Sequence, residues 1–412
     1  MSDLDLCYMP ATEALSLFRK KKLSPVELMT AVIDRAEATK DKINAFTYTH
    51  YDEALALAKK AEARYAKGKK TGPLEGLPVA VKDESYIAGK PTSNASLILK
   101  DFVAEKTSPN NQRIMAAGGI VHARTATPEF SCAAYTWSRL WGVTRNPWNP
   151  KFTTGGSSGG SGAALAAGLA PIATGSDIGG SIRIPAGACG VVGFKPPYGR
   201  NPDDPPFNLD FYCHTGPMAR TVEDTILLQN VMCGPHPLDI ASLRPKLTLP
   251  TKYKPIGKWK IAWSMDLGLF EVDKEVRKNT LAALDIFRSL GATVEEVDLG
   301  WPKNALQQGM AYLNHLFGAS LAKLLADHAD DLCTYTRRFA EEGQSSKATD
   351  FVSTLETAAE MYNSLGPLLE DYDVFICPTN ALAAVPADHD QSKDEVRING
   401  KVVDPSLGWV MT

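Results

Sequence analysis

The chain has 412 residues, 44% hydrophobic and 22% charged, an ordinary balance for a globular protein long enough to bury a substantial core. Its formal net charge is −3, and the short basic run Arg19-Lys20-Lys21-Lys22 reads as a solvated helix end, so nothing builds the basic stripe that nucleic acid needs. No apolar run approaches the ~18 residues that cross a bilayer, and seven widely spaced cysteines without a Cys-x-x-Cys pair suggest neither a disulfide framework nor a zinc site.

The opening, Met-Ser-Asp-Leu-Asp, has no basic region leading into an apolar core. With reduced thiols, this gives the expectation of a cytoplasmic protein. Ser24-Pro25-Val26-Glu27 reads as a capping box with proline at the first helical position, opening a helix through about Lys40. Residues 52–67 read as a second helix, stopped by Gly68. Leu77 to Val81 reads as a buried strand ending at Lys82-Asp83. A helix near 109–117 precedes a strand beginning at Ile120-Val121, and Thr221 caps another helix. Later strands are predicted at 259–264, 293–298 and 373–377, with helices near 273–289, 303–329 and 350–369. The alternation predicts an α/β fold, a single large domain with a mixed, mainly parallel sheet covered by helices. Gly199–Pro217 and Thr379–Leu407 read as long loops, and no internal repeat is visible.

The unusual segment is Gly155-Gly156-Ser157-Ser158-Gly159-Gly160-Ser161-Gly162. It is no free linker, because it runs into the helix-forming Ala163–Ala167 and a short strand, Ile172-Ala173-Thr174. A second small-residue turn, Gly175 to Ser181, follows, and Ser157 and Ser181 stand 24 residues apart. Glycine allows close backbone approach, and successive N–H groups in such a turn can form an anion-binding concavity. A serine at its end would sit beside its own oxyanion hole. That hydroxyl needs a base. None of the seven histidines lies in either turn. Lys82 ends an apolar strand, and burial favours the neutral amine that can accept a proton.

The run from Gly155 to Pro196 closely resembles the signature of the amidase signature family. Gly76–Asp83, Thr127-Pro128-Glu129-Phe130, Asn146-Pro147-Trp148 and Gly216–Thr221 match as well, so the resemblance covers about residues 10–235. It implies a Ser-cisSer-Lys triad: Ser181 as nucleophile, Ser157 as the bridging serine after a cis peptide bond, Lys82 as base. It further implies an oxyanion hole from the N–H groups of Ile178, Gly179, Gly180 and Ser181. Ser158 supports the network, and Asp177 pairs with Arg183 to hold the loop. Ser131 and Cys132 line the substrate pocket. No metal or organic cofactor is implied. The partner is a small-molecule amide, with no nucleic acid and no membrane; dimers are common among relatives, so a homodimer is an expectation. The catalytic core falls at about 75–235 of an amidase domain spanning 1–412. The family's domain usually continues beyond a segment like Asp404–Trp409, so its C-terminal part is expected to be incomplete here.

The implied reaction is hydrolysis of a carboxylic amide C–N bond through a covalent acyl-enzyme, releasing ammonia or an amine. An alternative is the glutaminase (A-type) subunit of a tRNA-dependent amidotransferase complex. A non-enzymatic member that has lost its chemistry is a third class, against which Lys82, Ser157 and Ser181 speak. Two other patterns are set aside. Gly155–Gly159 fits G-x-S-x-G, but turn-like Asn146–Lys151 precedes it where that motif needs a strand. Ser320–Lys323 fits S-x-x-K inside a plain amphipathic helix with no companion motif. The aromatics Phe130, Tyr135, Trp137, Trp141 and Trp148 read equally as packing or as a pocket for a bulky acyl group.

Overall fold

The computed structural model describes residues 2–412. Its packing divides the chain into two units: residues through Thr251 with Pro386–Asp388, and Lys252–Val385 with His389–Thr412.

The first unit is built on a six-stranded mixed sheet, in the order Phe46–Thr49, Ile120–Thr125, Pro78–Lys82, Ile172–Asp177, His214–Ala219, Val192–Gly193. Pro78–Lys82 runs parallel to both neighbours, and the outer pairings are antiparallel. The central strand is buried along its whole length, as a parallel strand covered on both faces must be. Its side chains alternate. Val79 and Val81 join a core with Phe18, Leu28, Val32 and Ile114. Ala80 joins the opposite core with Leu165, Ala173, Ile182 and Met218. Period two therefore assigns Lys82 to the Ala80 side, where the helix Gly159–Ala166 packs.

Local signals set most boundaries. Ser24 accepts from Val26 N and its own N–H is bonded by Glu27, so the capping box opens the helix Pro25–Ile43. Thr221 accepts from Asp224 N and starts Val222–Met232. The helix Tyr51–Ala66 ends before Gly68, which adopts φ +62°. The second unit carries a three-stranded parallel sheet, Thr293–Glu296, Lys260–Trp263 and Val374–Ile376, with the helices Lys274–Ser289 and Ala348–Asp371.

The architecture matches the predicted α/β fold with a mixed sheet, and three segments differ from the sequence expectation. The Gly199–Pro217 loop ends in a strand, His214–Ala219. Its Gly216 and Pro217 hide the strand pattern; pairing on both edges makes it a strand all the same. Thr379–Leu407 contains a hairpin, Val396–Ile398 with Lys401–Val403. The helix expected near 303–329 is broken into Ala305–Leu313, a π-helical turn Asn314–Gly318, and short helices Ala319–Ala322 and Leu325–His328. Gly318 lies close against Gly343 and the Phe339 carbonyl of the helix Thr334–Ser345, a crossing a regular helical side chain there would block. All seven cysteines are free. No helix among the described residues is long and apolar enough to cross a membrane.

Candidate active site

Lys82 sits at the C-terminal end of its strand with only 1% exposure. Its Nζ donates to Ser157 Oγ at 2.6 Å and Ser176 Oγ at 2.8 Å, and lies 3.0 Å from Glu84 Oε2. Ser157 is fully buried and follows the cis peptide bond Gly156–Ser157. Gly156 has no room for a side chain, since a Cβ there would meet the Tyr135 carbonyl oxygen at 2.4 Å. The glycine run thus presses Ser157 against the sheet.

The second turn follows the strand Ile172–Asp177. Asp177 is fully buried and organises it. Its Oδ1 accepts from Gly180 N at 2.8 Å, and its Oδ2 from Ile182 N at 3.0 Å. The Arg183 guanidinium forks onto both oxygens at 2.9 and 2.7 Å, and Lys195 Nζ lies 3.2 Å away. Burial opposes the charged form, but Arg183, Lys195 and the Gly180 N–H outweigh it and hold the carboxyl well below the usual carboxylate range. Lys195 also donates to the Ile178 carbonyl at 3.0 Å. Gly180 adopts φ +112°, a conformation that glycine permits.

Ser181 ends this turn, 9% exposed at the site's mouth. Its carbonyl accepts from Ser158 N at 3.1 Å, which ties the two serine turns together. Ser158 Oγ donates to the Ser176 carbonyl and accepts from Ser176 N, both at 3.3 Å. Among the described residues no hydrogen bond joins the Ser157 and Ser181 hydroxyls directly.

The structure therefore gathers Lys82, Ser157, Ser158, Asp177, Arg183 and the 178–181 turn into one site. Gly180 departs from the expected oxyanion set. Its N–H is spent on the Asp177 carboxylate. The Ser131 hydroxyl donates to Glu84 Oε2 at 2.6 Å and meets Thr127 Oγ1 at 3.0 Å. Cys132 lies beside it, with its thiol on the Glu129 carbonyl at 3.1 Å.

Tyr135 is buried and stacks on Trp137, whereas Trp141 packs edge-on against Tyr48 and donates to Ser93 Oγ. Trp148 is 75% exposed and donates to the Cys189 carbonyl. Sequence reasoning missed Glu84 and Ser176. The i, i+2 spacing of Lys82 and Glu84 at a strand end was the available signal for the first. Ser176 is brought in only by the pairing of Ile172–Asp177 beside Pro78–Lys82. No group of three or more His, Cys, Asp or Glu side chains among the described residues is arranged to hold a metal ion.

The sequence profile of the family described as Amidase matches residues 27–407. The chain is 33% identical to an acylamidase of Rhodococcus erythropolis over 396 residues, covering 94% of this chain and 82% of that protein. It is 34% identical to the A-type subunit of the glutamyl-tRNA(Gln) amidotransferase of Geobacillus thermodenitrificans over 405 residues, covering 90% of this chain and 82% of that protein. A crystal structure of a bacterial aryl acylamidase of the amidase signature enzymes superposes with a TM-score of 0.91 at 30% identity, covering 98% of this chain and 86% of that one. With its profile, its relatives and its fold in agreement, the chain belongs to the amidase signature family of enzymes that hydrolyse amide C–N bonds.

Proposed function

We propose that this protein is a stand-alone amidase that works through a Ser-cisSer-Lys relay with Ser181 as nucleophile. The observation that carries the reading is the buried 2.6 Å contact between Lys82 Nζ and Ser157 Oγ. The Lys82 amine is buried against two hydroxyls and the Glu84 carboxylate. In its neutral form it takes the Ser157 proton while Ser157 takes the Ser181 proton, and Ser181 Oγ attacks the amide carbonyl. The N–H groups of Ile178, Gly179 and Ser181 would receive the developing oxyanion, a contribution of ~3–4 kcal/mol per well-placed donor. The relay then returns a proton to the leaving nitrogen, and water hydrolyses the acyl-enzyme.

Likeness to an acylamidase in sequence and to an aryl acylamidase in shape supports linear acyl and aryl amides as the substrate class. The second reading, the glutaminase component of an amidotransferase, rests on the likeness to the A-type chains of such enzymes. The test is a hydrolysis screen of aliphatic, aryl and amino-acid amides with the pure protein and its Ser181→Ala variant. Turnover of simple amides by the protein alone, lost in the variant, supports the first reading. Strict glutamine use dependent on added partner proteins overturns it in favour of the second.

A further inference from the structure

Beyond the three residues of the relay, the strand end bearing Lys82 carries a carboxylate that touches the amine. Glu84 Oε2 lies 3.0 Å from Lys82 Nζ and accepts from Ser131 Oγ at 2.6 Å. Ser131 in turn meets Thr127 Oγ1 at 3.0 Å. Thr127, Ser131, Glu84, Lys82 and Ser157 therefore form one continuous polar chain leading to the relay. Phe130 and Ser131 both adopt left-handed backbone, φ +50° and +58°. That conformation is uncommon for side-chain-bearing residues and holds the Ser131 hydroxyl toward Glu84.

We propose that Glu84 is a positioning residue for amide hydrolysis: clamped by Ser131, its carboxylate holds the Lys82 amine between Ser157 and Ser176. The inference rests on the reading of Lys82 as the base of the relay. In the relay the Lys82 amine accepts the Ser157 proton as Ser157 accepts that of Ser181, and Glu84 itself exchanges none.

The electrostatics agree. Burial works against the Glu84 carboxylate, but Lys82 and the hydroxyls of Ser131 and Ser176 outweigh it and hold the carboxyl below its ordinary range. The other titratable or charged groups that act on Glu84 are Arg124, Tyr86, Asp203 and Cys213. Arg124 lies 3.8 Å from Asp83, so its charge is shared with a second carboxylate. Burial pushes Asp203 up to about 7 and Cys213 upward. Glu84 in turn raises all four of these groups, so Glu84→Gln moves their titration as well, and the test is read at one fixed pH as a split between kcat and KM.

The experiment measures kcat and KM for an aryl amide, and the rate of labelling by a fluorophosphonate, at one fixed pH for wild type, Glu84→Gln, Glu84→Asp, Ser131→Ala and Ser181→Ala. Glu84→Gln is expected to lower kcat and labelling by about tenfold or more as the amine loses its anchor, while KM stays within about threefold of wild type. Glu84→Asp keeps the charge on a shorter side chain and recovers part of the loss. A Glu84→Gln kcat within about threefold of wild type, or a loss confined to KM, overturns the inference. If Glu84→Gln does not fold, Ser131→Ala, which releases the clamp, decides: a wild-type kcat there overturns it. Retained turnover and labelling in Ser181→Ala instead overturns the relay itself, which separates the two failures.

Discussion

Lys82 Nζ and Ser157 Oγ lie 2.6 Å apart, with the lysine 1% exposed and the serine fully enclosed. A long, flexible cation is held in one place by a strand end and a glycine turn that meet only in the folded chain. If this contact passes protons, Lys82→Ala lowers kcat by about 10²–10⁴-fold, the range for loss of a positioned base. Ser157→Ala falls in the same range, and Ser181→Ala removes nearly all turnover and fluorophosphonate labelling. Rates within about threefold of wild type in any of the three, measured on folded protein, sink that residue's assigned role.

Asp177 holds the turn that presents Ser181. Asp177→Ala removes the carboxylate that Arg183 and Lys195 share and that accepts from the Gly180 and Ile182 N–H groups. Removing one member of a buried pair costs about 3–5 kcal/mol. Urea denaturation is expected to show a loss of that order. Because the folded carboxyl lies below its unfolded value, its stabilisation is present above the unfolded pKa of about 4 and is lost as pH falls through the acid range. The variant's acid-denaturation curve should accordingly be flatter than that of wild type.

Asp203 titrates the other way. Burial pushes its carboxyl up to about 7, against the bonds from Thr215 and the Asp204 N–H. A raised folded value means that the contribution is fully present below about 4 and is lost as pH rises through about 7. Asp203→Asn removes the titration. Its Tm is expected to change less than that of wild type between about pH 5 and 8, as read by thermal melts. Parallel melting curves across that window would rule this out.

Gly156→Ala places a methyl 2.4 Å from the Tyr135 carbonyl oxygen. Nothing flexible can move aside there, so the turn must shift. Overpacking of this kind costs about 1–3 kcal/mol. The displacement carries Ser157 with it, so activity should fall further than the stability loss accounts for at temperatures well below Tm. A variant that is destabilised but fully active would show that the turn tolerates relocation.

Much of the site was legible in the sequence, and for identifiable reasons. The glycine–serine run and the Gly-Gly-Ser turn mark where backbone must approach closely, and the apolar run before Lys82 marks a central strand. Capping residues at Ser24 and Thr221 fixed helix starts through bonds made within three residues. His214–Ala219 was missed because Gly216 and Pro217 mask its strand character, which partner strands impose. The π-helical turn after Leu313 was missed because the backbone there stays helical and only the hydrogen-bond spacing changes, where Gly318 closely approaches the helix Thr334–Ser345.

Residue identity and spacing therefore marked the family, many of the strands and helices, and, through the resemblance, the two serines and the lysine proposed to act together. Only the tertiary structure decided which atoms meet. It gave the Gly180 N–H to Asp177, bonded the Ser131 hydroxyl to Glu84, and set Glu84 and Ser176 against Lys82. The physical reason is range. Caps, turns and alternation are short-range and are written in neighbouring residues, whereas a buried amine takes its partners from strands and turns distant in sequence, by sheet order and register.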